Sequence, residues 1–215
     1  MQLDSLLSKE AASSLLNKDG TMTTFEYDRK LCGDASAQTI RIVDLLPGDS
    51  TDPIACQLKY VSLDDRPKFE AISYCWGGQV PGVEIECNGG RMKITKNLSD
   101  ALRAFRKLDT IILLWADAIC INQKDNDEKT CQVPLMGRIY GQARNVKIWL
   151  GEESQEEDCK VAFQLIGKLY TVSLGFKDGK IPNIHLQYTL ATLGLPDVFD
   201  LSWRSVCRLL KRPWF

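Results

Sequence analysis

Histidine is almost missing from this chain: His185 is the single one among 215 residues. It lies in a stretch without clear periodicity, so neither a Ser-His nor a Cys-His nucleophile pair has a base in an ordered motif. No C-x-x-C occurs either, which removes the usual frame of a structural zinc site; no metal is expected. A marked excess of either charge is also lacking, with 27 basic against 28 acidic residues. Such a balance leaves no electrostatic footprint for nucleic acid or an anionic membrane. The longest apolar run, 111–121, is interrupted by Asp117 and is too short to span a bilayer. The opening MQLDSLLSKEAASSLLNKDG carries Asp4 and Glu10 among its leucines and does not read as a secretory signal. Neither G-x-G-x-x-G nor G-x-x-x-x-G-K-[ST] is present, so dinucleotide-fold and phosphate-cradle readings lose their support. A G-x-S-x-G elbow, internal repeats and low-complexity linkers are absent too.

Cysteine, by contrast, is plentiful. The eight residues at 32, 56, 75, 87, 120, 131, 159 and 207 are irregularly spaced and mostly lie in apolar segments. They read as free, buried thiols in a reducing compartment, placing the protein in the cytoplasm.

The hydrophobic pattern gives an α/β order. Leu3 to Leu16 reads as a short helix within an N-terminal extension, 1–37. Thr39–Leu45 and Ala55–Ser62 read as strands, and a third runs through FEAISY. Gly82–Cys87 and Arg91–Thr95 flank Asn88-Gly89-Gly90 as a hairpin insertion. Asn97 to Leu108 reads as an amphipathic helix N-capped by Asn97. A strand over 111–116 ends at Asp117, and a polar loop leads to a helix starting near Gln132, with Pro134 in its first turn. Val146–Leu150 is the next strand, Gln155 to Tyr170 a helix with acidic residues in its first turn, and Ser202 to Lys211 the last helix. This alternation predicts a parallel sheet wrapped by helices, with the early strands and the hairpin as an antiparallel ornament.

In a parallel sheet, ligands sit beyond the carboxyl ends of the strands. The polar groups of this chain fall there: Ser73, Tyr74, Trp76, Gly77 and Gly78 after the first core strand, Asp117, Asn122 and Gln123 after the second, Gly151, Glu152 and Glu153 after the third. Trp76 either stacks on a flat ring or covers the sheet edge. Gly77 and Gly78 admit a ligand to the backbone or turn the chain into the hairpin. Asp117 binds a sugar hydroxyl or accepts from amides of its own loop. Asn122 and Gln123 bond a polar ligand or shape the turn. Glu128 with Lys129 reads as a helix-entry charge pair, and Glu152 with Glu153 as a solvated loop.

Three blocks, FEAISYCWGG, LLWADAICINQKDNDEKTCQVPLMGRIYGQARNVKIWLG and the terminal RPWF, resemble the fungal heterokaryon-incompatibility (HET) domain over about 38–215. Ala116 stands where that family more often has a branched aliphatic. The resemblance implies a module of non-self recognition and regulated cell death, distantly similar to TIR domains, hence a TIR-like (flavodoxin-like) parallel sheet flanked by helices. It further implies NAD as a substrate or ligand, cleaved with nicotinamide release, and no prosthetic group. Ser73, Tyr74, Trp76, Gly77, Asp117, Asn122 and Gln123 are the candidate ligand-binding residues. In the TIR-like scheme the catalytic glutamate follows R-P-W-F, beyond Phe215, so the catalytic residue is unknown and this chain is expected to be weak or inactive alone. The alternatives are a self-associating signalling module, or a truncated regulator of longer HET proteins. Expected partners are further copies, downstream domains or other HET proteins.

Overall fold

The computed structural model describes residues 23–28, 31, 38–153, 158–175 and 190–215. The expected helix over Leu3 to Leu16 lies outside them, as does most of the stretch around His185. The chain divides into two compact units, Met1–Trp149 and Leu150–Phe215.

The first unit is built on one mixed sheet. Its strands are β1 (Thr39–Leu45), β2 (Ala55–Ser62), β3 (Glu70–Tyr74), β4 (Val83–Cys87), β5 (Gly90–Ile94), β6 (Ile112–Trp115) and β7 (Val146–Trp149), in the order β5-β4-β2-β1-β6-β3-β7. β1 is central because TIRIVDL is buried throughout after Thr39, as a strand covered on both faces must be. It pairs antiparallel with β2 along its whole length and with β6 from Val43↔Leu114 to Leu45↔Ile112. β6, β3 and β7 are mutually parallel. Asn88 and Gly89, both at positive φ, turn β4 back into β5, as a tight hairpin demands. β4 then docks parallel onto β2 through Cys56↔Cys87. The early strands and the hairpin are therefore the middle and one edge of the sheet, where the sequence pattern placed them at its periphery. The residues 23–28 extend that edge: Arg91 bonds both neighbours of Thr24, accepting from Phe25 N at its O (2.8 Å) and donating from its N to Thr23 O (2.8 Å). Gly90 has to be glycine, since a Cβ there would lie 2.9 Å from Phe25 Cα.

Among the described residues the helices of this unit are α1 (Lys96–Phe105), α2 (Asp117–Cys120), α3 (Asn126–Gln132) and α4 (Met136–Gln142). Two helix starts differ from expectation. Thr95, not Asn97, caps α1, its side chain accepting from Leu98 N. The second helix starts not near Gln132 but at Asn126, because the Asp125 carboxylate takes the amides of Asp127 and Glu128. Pro134, lacking an N–H, falls in the 3-10 turn Val133–Leu135 that joins α3 to α4. Leu98 and Leu102 of α1 and Ile139 of α4 pack into one core with Ile42, Ile72 and Leu114, each such side chain adding roughly 2 kcal/mol.

The second unit holds α5 (Cys159–Ser173), which starts at Cys159 and not at the expected Gln155 and has no acidic residue in its first turn, and α6 (Leu201–Leu210), each started by an aspartate cap, Asp158 and Asp200. Ala162, Leu165, Val206 and Leu209 form its small core. Among the described residues no helix is long and apolar enough to cross a membrane.

The cysteine expectation fails in two respects. Cys131 is disulfide-bonded, and of the free Cys56, Cys75, Cys87, Cys120, Cys159 and Cys207 only Cys56, Cys87 and Cys120 are buried, Cys207 being exposed. Pairing depends on distance in space, which irregular spacing along the chain does not reveal.

Candidate functional site

β3 and β6 end side by side, and their carboxyl ends carry an aromatic and acidic cluster. After Tyr74 and Cys75, the chain turns sharply at Trp76-Gly77-Gly78-Gln79, with Gln79 N bonded to Trp76 O at 3.2 Å. Gly77 and Gly78 have φ of +60° and +65°, the left-handed pair a type I′ turn needs. A Cβ at Gly78 would meet nothing within 4 Å, and one at Gly77 only the Gln79 side chain. Backbone conformation, not lack of room, is what selects glycine here.

The turn presents Trp76, 41% exposed, with its ring stacked on Tyr74 (6.5 Å between centroids, 17° between planes). Its Nε1–H donates to Asp117 Oδ2 at 3.0 Å, while Asp117 Oδ1 accepts from the Ala118 amide at 2.8 Å. Asp117 opens α2 directly after β6, so its carboxylate sits at a short helix start between two donors. Burial raises its pKa, against the lowering effect of the neighbouring Tyr74 hydroxyl and of hydrogen bonds from Ala118 and Trp76. The Tyr74 hydroxyl is buried against this carboxylate without reaching good hydrogen-bond geometry. Burial and then the Asp117 charge push its pKa far up. The same two causes push Tyr140 up to about 12, its hydroxyl donating to Ile72 O at 3.2 Å.

The other expected site residues are placed differently. Gln123 Nε2 donates to the Asp117 carbonyl at 2.9 Å and so braces α2. Asn122 Oδ1 accepts from Lys124 N at 3.2 Å, shaping its own turn. Ser73 lies on β3 opposite Ile148 of β7, half-buried. Tyr74, Trp76 and Asp117 thus converge, Gln123 supports them through the backbone, and Asn122 serves its loop.

Three contributors were not legible as such. Asn97, read as a cap, donates from Nδ2 to Cys75 O (2.6 Å) and accepts from Trp149 Nε1 (2.9 Å), tying the end of β3 to the end of β7. Glu128, read as half of a helix-entry charge pair with Lys129, is 1% exposed and takes a bidentate contact from Arg41, itself fully buried. An arginine inside the apolar strand TIRIVDL was the available signal, because a buried cation requires a partner.

The third group of rim residues is organised within the second unit. Arg212, of the terminal RPWF, donates to the carbonyls of Leu150 (2.9 Å), Gly151 (3.0 Å) and Glu152 (3.0 Å). Glu153, read as part of a solvated loop, accepts the Cys159 amide at 2.6 Å ahead of α5. Among the described residues no three His, Cys, Asp or Glu side chains converge as a metal would need.

Comparison with known proteins agrees with these motifs. The chain is 38% identical over 141 residues to heterokaryon incompatibility protein 6, OR allele, of Neurospora crassa. That match covers 59% of this chain but 21% of the relative, so the chain spans about a fifth of that protein's length. No solved structure matches. The family model for heterokaryon incompatibility proteins (HET) matches residues 69–215, from the strand carrying Tyr74 through the RPWF that holds Arg212, and the chain therefore belongs to the HET family.

Proposed function

We propose that the chain is the HET module of a fungal non-self recognition protein that triggers regulated cell death, and that its rim at Trp76 and Asp117 receives NAD. The observation that supports this best is the pairing of a partly exposed indole, stacked on Tyr74, with a carboxylate whose pKa burial raises. A planar ring gives a nicotinamide or adenine a stacking surface. A carboxylate beside it is the group that a ribose needs, either to bind its hydroxyls or to stabilise oxocarbenium-like charge as the bond to nicotinamide breaks. The parallel strands β6, β3 and β7 are the part of the sheet that fits a TIR-like reading, in which full-length HET proteins hydrolyse NAD. The test is nicotinamide release from NAD by the full-length protein and by its Asp117→Asn variant. Release by the parent that falls about a hundredfold or more in the variant supports the reading; no release by an assembled full-length protein rejects hydrolysis.

A second reading has its own observation. β7 ends the sheet and exposes Val146 (44%) and Ile148 (48%), an apolar pair of the kind that favours self-association or pairing with longer HET proteins. Light scattering across a concentration series decides: growth in mass with concentration favours a signalling or regulatory module, and a constant monomer mass argues against it.

A further inference from the structure

Arg41 and Glu128 form a charged pair in the interior, Arg41 on the central strand and Glu128 on α3. Exchanging such a pair for apolar residues is often neutral or stabilising, so its presence asks for another reason. Its hydrogen bonds supply one. Arg41 Nη1 donates to Glu128 Oε1 (2.6 Å) and to the carbonyl of Cys120 (3.0 Å), and Nη2 to Glu128 Oε2 (3.1 Å). Glu128 Oε1 also accepts the Asn122 amide at 2.7 Å. The pair therefore grips the backbone on both sides of Ile121, directly behind α2. Tyr27, whose ring covers the Arg41 guanidinium at 4.4 Å, donates its hydroxyl to Ile119 O at 2.9 Å. From the same N-terminal strap, the Leu31 amide reaches Glu128 Oε2 at 3.3 Å.

α2 is a helix of only four residues, Asp117–Cys120. A segment that short has no intrinsic stability, so its direction is set by whatever holds its ends. Asp117 is its first residue, and the line from Asp117 Oδ2 to the Trp76 indole depends on that direction.

We propose that Arg41 and Glu128 are positioning residues that hold α2 so that the Asp117 carboxylate meets Trp76, with Tyr27 as the point where the N-terminal strap joins the same clamp. This matters for function only if the rim is the working site, whereas the geometry can be read without any ligand. The experiment is a ¹⁵N spectrum of the full chain, in which the Trp76 indole signal is assigned by its loss in Trp76→Phe. Asp117→Ala supplies the reference position for a broken Trp76 bond. In Glu128→Gln and Arg41→Lys the Trp76 signal shifts towards that reference, and the Ala118 amide exchanges about tenfold faster. The Trp149 indole, bonded to Asn97, keeps its wild-type position. Tyr27→Phe, which removes one hydroxyl and leaves the ion pair intact, gives a smaller shift in the same direction and carries the test should the charge variants fail to fold. A Trp76 signal unchanged in every folded variant, or Trp76 and Trp149 signals that move together, would overturn the proposal and leave the pair a strut of the core. Because no NAD is added, this result is separable from success or failure of the nucleotide reading.

Discussion

Asp117 and Glu128 are both largely withdrawn from water, yet their pKa values move in opposite directions. At Asp117 burial prevails and raises the pKa. At Glu128 burial also pushes upward but is outweighed by the Arg41 guanidinium and the Asn122 amide, so the pKa is lowered. The signs of their contributions to stability follow. Glu128, depressed in the fold, stabilises above its unfolded value near 4.5 and loses that contribution as pH falls through its folded value. Asp117, raised in the fold, contributes stability fully present below its unfolded value near 3.8 and lost as pH rises through its folded value. Urea unfolding of Glu128→Gln at pH 7 should therefore show a loss of about 3 kcal/mol that shrinks as the buffer is taken below pH 4. Asp117→Asn should behave oppositely, costing more relative to the parent in acid than at neutral pH. A pH-independent penalty for either variant would contradict the assigned shifts. At the turn, Gly78→Ala should cost roughly 1 kcal/mol although a methyl there has space, since φ alone is at issue.

At the scale of elements, helix starts were the weakest part of the sequence reading, and the reason is local chemistry. Thr95 and Asn97 are both good caps by type, and the choice fell to Thr95 because Asn97 reaches Cys75 and Trp149 instead. Thr95→Ala should lower stability by about 1 kcal/mol without disturbing the Trp149 indole. Asn97→Ala should instead loosen the link between β3 and β7, seen as a shifted Trp149 indole resonance. Strands were read far better: Thr39–Leu45 and Ala55–Ser62 match residue for residue, because β-branched runs bounded by turn residues are a strong local signal. The Asp117 and Trp76 pairing was legible as two polar groups after two core strands. The Arg41 and Glu128 clamp was not, since it joins residues far apart in sequence through the interior.

At the scale of the molecule, what sequence order could not convey is that β1 lies at the centre. The stretch matched by the HET model begins at Phe69 and so leaves out β1 and β2. Without them the β4–β5 hairpin has no neighbour, and β6 loses one of its two partners; an isolated hairpin is marginal in water. A fragment of residues 69–215 should unfold without a cooperative transition, whereas the whole chain should melt cooperatively. A sharp transition in the fragment would show that the central strand is dispensable.

The central claim is that Trp76 and Asp117 form one nucleotide-receiving rim, and calorimetric titration of NAD into the whole chain tests it most directly. Saturable binding is predicted for the parent, weakened about tenfold or more in Trp76→Ala and weakened again in Asp117→Asn, with both variants folded. Absence of saturable heat in the parent, or equal affinity in all three proteins, would contradict it.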